Sequence, residues 1–136
     1  MPTKISKRAN ATYKAGDYKQ AAELFKNAAD SYALAQDKLM AAEMLNNQSV
    51  ALLQHNDPES ALNVILETDR VFAEAGDIRR EAMTYGNQAA AYEALGKNEE
   101  AIAKYQKAAD LLRETDDTEL RAYVLKSLSA LQLRTG

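Results

Sequence analysis

Two amide-bearing runs forty residues apart, Asn46-Asn47-Gln48 and Gly86-Asn87-Gln88, carry the repeated polar chemistry of this chain. A side-chain amide both donates and accepts hydrogen bonds, so it can satisfy the backbone of an extended peptide whatever that peptide's sequence. Groups that make or break covalent bonds are sparse. The one histidine, His55, falls at the end of a helical stretch just before Asn56, where a surface side chain suits the helix dipole. There is no cysteine, so neither a thiolate nucleophile nor a thiolate metal site is possible, and no HExxH spacing occurs. Five isolated glycines form no phosphate loop. The acid pairs Glu99-Glu100 and Asp116-Asp117 lie at helix starts, where acids are favoured electrostatically, and sequence neighbours on a helix do not face one another. The tyrosines recur at packing positions. These features predict no catalytic residue, no metal and no cofactor.

Helices must position the amides. The stretch from Ala82 to Ala109 predicts two of them meeting at a tight turn. Tyr85, Ala89 and Tyr92 precede the turn at helical spacing, and Ala101, Ile102, Tyr105 and Ala108 follow it. Gly96 suits a left-handed C-terminal cap, and Asn98 is the expected N-cap of the second helix. Small residues such as Ala89 and Ala101 let antiparallel helices approach closely. Shifting the sequence by forty aligns Gly16, Asn56, Gly96 and Gly136. Asp37, Asp77 and Asp117 form a second series of expected N-caps, and Ala21, Ala61 and Ala101 a third series. The expected helices run about 3–15, 17–36, 38–55, from Asp57-Pro58-Glu59 onward, then the two flanking Gly96, and last 118–134. The fold class is therefore all-α.

Composition agrees. The chain has 136 residues, 46% hydrophobic and 27% charged, with few β-branched residues and two prolines. The start, MPTKISKRAN, lacks the apolar core of a signal peptide, and no apolar run approaches the roughly 20 residues that span a bilayer. A cytoplasmic location without membrane insertion is expected. A net charge of −3 with a pI near 5.2 argues against a nucleic-acid partner. Charge is uneven: residues 1–20 carry Lys4, Lys7, Arg8, Lys14 and Lys19 against Asp17 alone, whereas residues 57–119 are strongly acidic.

The spacing Tyr85, Ala89, Tyr92, Gly96, Ala101, Tyr105, Ala108 resembles the tetratricopeptide repeat, and the period of forty resembles its long-repeat branch, seen in kinesin light chains and in scaffolds that modulate G proteins. The departures are Gln48 and Gln88, where that family has Leu, and Thr68, where it has Ala. The resemblance implies a right-handed α-solenoid of about seven antiparallel helices. These are three hairpins, near 3–36, 37–76 and 77–116, and a closing helix at 117–135 within one domain spanning 1–136. It also implies that the first helix of each hairpin lines a concave groove. The groove residues would be Lys7, Asn10 and Lys14, then Glu43, Asn46, Asn47, Val50 and Gln54. Met83, Asn87 and Ala90 would follow, then Tyr123, Lys126, Ser127 and Arg134. The implied partner is a protein or peptide segment. Binding of a chaperone C-terminal carboxylate is not expected, because Ser6, Met83 and Asn87 stand where that clamp needs cations. The last helix either caps the array or, with the apolar set Val124, Leu128, Leu131 and Leu133, offers a face for a homodimer contact or continuation of the array.

Overall fold

A computed structural model describes residues 2–135, and Gly136, the last member of the glycine series, lies outside them. The elements are α1 (Pro2–Lys14), α2 (Tyr18–Leu34), α3 (Lys38–Gln54), α4 (Pro58–Asn63), α5 (Thr68–Glu74), α6 (Ile78–Ala94), α7 (Asn98–Leu112) and α8 (Thr118–Thr135). No strand occurs among the described residues. These are seven helical rods, as expected, with the fourth divided into α4 and α5.

One turn design is used five times. Gly16, Gln36, Asn56, Gly76 and Gly96 all take positive φ, between 62° and 86°. The residue after each donates its N–H back across the helix end, as Asp37 does to the Tyr32 carbonyl at 2.9 Å, Asp57 to Leu52 at 2.9 Å and Lys97 to Tyr92 at 2.9 Å. These bonds close the last turn and satisfy otherwise orphaned carbonyls. The same following residue then opens the next helix. Asp17, Asp37, Asp57 and Asp77 each accept from the backbone N–H three residues on, at 3.1–3.3 Å. The punctuation therefore repeats every twenty residues, once per helix, and the forty-residue series is its every-second-turn subset. Asp117 caps α8 by accepting from Leu120 at 3.2 Å. The cap of α7 differs from expectation. Lys97 holds that position without a side-chain bond, and Asn98 is the first helical residue. Gly96 in the left-handed conformation leaves one residue to serve as cap, and that residue is Lys97.

Gln36 pays the steric cost of the left-handed region with a full side chain. Gln36→Gly is expected to stabilise the protein by roughly 0.5 kcal/mol, the relief of strain exceeding the added freedom of the unfolded chain. A rise in the urea midpoint at unchanged m-value checks this.

Alanine dominates the helix contacts. Ala9, Ala21, Ala28, Ala51, Ala82, Ala89, Ala101 and Ala108 are all fully buried. The apolar core has two lobes. One joins α1, α2 and α3 around Leu24, Phe25 and Met44. The other joins α6, α7 and α8 around Tyr105, Leu112 and Leu128. A small cluster of Ala61, Leu62 and Ala91 links them. Val124, Leu128 and Leu131 of α8 are buried, so most of its expected exposed apolar face packs inward.

The junction between the lobes is polar, and it explains the broken fourth helix. After Asn63 the backbone opens into a turn over residues 64–67. The Ile65 carbonyl, freed from the helical ladder, accepts from Gln88 Nε2 at 2.9 Å. Gln88 Nε2 also reaches Asp69 Oδ1 at 3.0 Å. Thr68 Oγ1 donates to Asn46 Oδ1 at 3.1 Å, and Asn46 Nδ2 donates to Thr84 Oγ1 at 2.8 Å. Asn46, Thr68, Thr84 and Gln88 are all buried. Two of the three departures from the tetratricopeptide pattern thus hold the break open, Gln88 from α6 and Thr68 at the start of α5 through its bond to Asn46 of α3. No membrane-length apolar helix is present among the described residues.

Candidate functional site

Helical spacing puts Glu43, Asn47 and Val50 on one stripe of α3, and Arg79, Met83 and Asn87 on one stripe of α6. The two stripes face a cleft of about 380 Å³, with Asn46 at its floor and Asp77 and Arg80 at its rim. A second hollow of about 160 Å³ continues from it, lined by Asn10, Tyr13, Phe25, Asn47 and Val50. The expected residues Asn10, Asn46, Asn47, Met83 and Asn87 therefore gather along one face. Ala90 and Arg134 line a third hollow of about 440 Å³ with Leu53, Glu93 and Ala94. Lys7, Lys14, Gln54, Tyr123 and Lys126 are exposed and line none of these three.

The amides divide by use. Asn46, expected on the groove, is only 8% exposed and both ends of its amide are taken by Thr68 and Thr84. It is a bridge between hairpins, so its amide is not available to a partner. Asn10, Asn47 and Asn87 make no side-chain hydrogen bond among the described residues, and Asn47 and Asn87 are half-buried at the cleft. Their donors and acceptors are open.

The cations are engaged. Arg80 Nη1 donates to Asp77 Oδ2 at 3.0 Å, and its Nη2 donates to both Glu43 oxygens at 3.3 Å, tying α6 to α3. The hydrogen bond to Asp77 raises the guanidinium pKa above its ordinary value; burial opposes this and Glu43 assists. Arg79 Nε donates to Asp117 Oδ2 at 2.6 Å and so fixes α6 to the cap of α8. At the far end Glu93 accepts from the Tyr105 hydroxyl at 3.2 Å and pairs with Arg134. Burial first, and the Glu93 charge second, push the Tyr105 phenol well above its usual pKa. Sequence reasoning missed Arg79 and Arg80. Extending the Met83–Asn87 stripe one turn back would have reached Arg79. Among the described residues, no three His, Asp or Glu side chains stand together as a metal site.

The sequence model of the soluble NSF attachment proteins (SNAP) matches residues 4–134, nearly the whole length. The chain belongs to the soluble NSF attachment protein family. No curated protein matches it in sequence. Among solved structures, the TPR2AB domain of yeast Sti1 in a pHSP90 complex is similar, with a TM-score of 0.71 and 23% identity. The likeness covers 99% of this SNAP-family chain and 50% of the Sti1 chain, so the chain spans half the length of that relative. At this identity the likeness speaks for the fold, a tetratricopeptide-type helical array.

Proposed function

We propose that the chain is a non-catalytic protein-interaction module whose concave face, the cleft between α3 and α6 with its extension to α1, holds an extended segment of a partner protein. The observation that carries this reading is the state of Asn47 and Asn87. They are repeat-related amides, half-buried beside one cleft, with no internal hydrogen bond among the described residues. An extended peptide brings one N–H and one C=O per residue, and side-chain amides match both. The family name, which describes attachment to NSF, and the pHSP90 complex of the Sti1 domain also favour a protein partner. A chaperone-tail carboxylate is a poor fit, because Arg79 and Arg80 are already paired with Asp117, Asp77 and Glu43.

The test is capture from native lysate by the wild type and by Asn47→Ala/Asn87→Ala, two variants expected to have equal helicity. Losing two amide contacts, each about 0.5–1.5 kcal/mol, weakens the segment roughly tenfold or more. A partner retained by the wild type and lost by the variant is the expected result. Equal capture by both sinks the reading.

A second reading, self-association through α8, rests on the exposure of Tyr123 (66%) and Leu133 (84%). It requires a sedimenting mass that rises with concentration above the 15.0 kDa of one chain.

A further inference from the structure

The divided fourth helix opens a groove on a different part of the molecule from the α3–α6 cleft. Ala41, Ala42 and Leu45 of α3 form one wall, and Val64, Leu66 and Val71 around the break form the other, enclosing about 750 Å³. We propose that this groove docks an amphipathic helix of a partner protein, with an acidic residue in its first turn beside Lys38. The inference is independent of the amide cleft.

The groove is built by the chain's own polar residues. Gln88 caps the freed Ile65 carbonyl, and Thr68 is held by Asn46. Holding the break leaves Leu66 at 47% exposure. Leu34, at 87%, and Leu39, at 39%, lie next to the lining residues Ala33 and Lys38 in the chain. An exposed leucine such as Leu66 among the apolar lining of a groove marks an interaction surface.

The chemistry of the walls selects the occupant. An extended peptide needs a partner for every backbone N–H and C=O. The walls are mainly alanine, leucine and valine, Thr68 and Glu67 are engaged by Asn46 and Arg70, and the amides of Gln36 and Asn63 are too few to serve a whole segment. A helix satisfies its own backbone and presents apolar side chains at i, i+3 or i+4 and i+7, the spacing that fits between two helical walls. Charge sets the direction. Lys38 is the first residue of α3 and has no ion-pair partner among the described residues. A cation at a helix N-terminus is disfavoured by the dipole, so an incoming carboxylate relieves it and also suits the first turn of the incoming helix. Glu67, at the other end, already pairs with Arg70 at 3.1 Å and adds little polarity.

The test uses the full chain, isotope-labelled, titrated with a stapled helical peptide of about 12 residues, or roughly 18 Å. The peptide carries leucines at i, i+3 and i+7 and glutamates in its first turn. Controls carry lysines in that turn or the same leucines at scrambled spacing. Expected are amide shifts at Ala41, Leu45, Val64 and Leu66, and affinity falling about tenfold in Ala41→Arg with an unchanged melting temperature. Lys38→Glu should reverse the preference between the glutamate and lysine peptides. Asn47→Ala/Asn87→Ala should bind as the wild type does. No binding at millimolar peptide, equal binding of the scrambled control, or shifts confined to the α3–α6 cleft would overturn the proposal. So would a groove filled by a second copy, seen as a mass that rises with concentration and is abolished by Ala41→Arg.

Discussion

Phe72→Ala is expected to remove about 3–5 kcal/mol of stability, the usual cost of emptying a fully buried aromatic site. A domain of this size has about 5–15 kcal/mol in all, so the variant stands near the unfolding threshold at 37 °C. Phe72 has no exposed surface, and it is the one large apolar side chain that α5 buries completely. α5 has seven residues, too short to persist in water by its own hydrogen bonds. Its place against α6 and α3 therefore rests on side-chain burial. Removing the ring also frees the segment whose Phe72 carbonyl accepts from Asp77 and so sets the cap of α6. Leu34→Ala is the control. Leu34 is 87% exposed, and its loss should stay within about 0.5 kcal/mol. Urea titration of both variants decides the matter. A Phe72→Ala loss under about 1 kcal/mol would mean that α5 is not held by its core residue.

What the sequence displays and what it conceals follow from the range of the forces involved. The turns were legible because their chemistry is local. A left-handed residue followed by Asp closes one helix and opens the next within six residues, as at Asn56-Asp57. Asn98 shows the limit of residue-type rules, since the preceding left-handed Gly96 fixes the cap at Lys97. The break at Val64–Glu67 was concealed. Val64, Ile65 and Leu66 continue an apolar helical pattern, and the groups that hold the turn open come from Asn46 and Gln88 on other helices. The apolar groove, a consequence of that break, was concealed with it. Asn47 and Asn87 were placed by their period, whereas Asn46 was not. Its counterpart forty residues on is Gly86, so periodicity carried no sign that its amide turns inward toward Thr68 and Thr84. Arg79 and Arg80 escaped because their role as ties depends on Asp117 and Glu43 across the fold.

Asn46→Ala is expected to lower stability by about 2–3 kcal/mol and to reduce the m-value of urea unfolding. The first effect is pairwise. Asn46 makes two buried hydrogen bonds, each worth about 0.5–1.5 kcal/mol net, and its removal leaves a small cavity. The cost does not rise further because each hydroxyl proton keeps an acceptor. Thr84 Oγ1 still donates to the Arg80 carbonyl at 2.9 Å, and Thr68 Oγ1 still has the Ile65 carbonyl at 3.4 Å. The second effect comes from position. Helical arrays are stabilised by contacts between neighbouring units, and here the two larger apolar lobes are joined by this polar seam and by only the small cluster of Ala61, Leu62 and Ala91. Weakening the seam should let the α1–α3 lobe and the α6–α8 lobe unfold at different denaturant concentrations, which lowers the apparent m-value. Gln88→Leu provides the comparison, because it restores the residue of the tetratricopeptide pattern while removing the hydrogen-bond donor to the Ile65 carbonyl. If pattern agreement governed stability, that variant would gain. The carbonyl instead loses its 2.9 Å donor and keeps only the 3.4 Å contacts of Thr68, and a loss of about 1 kcal/mol follows. Asn46→Ala unfolding with an unchanged m-value and a loss under about 0.5 kcal/mol would show that the seam couples nothing.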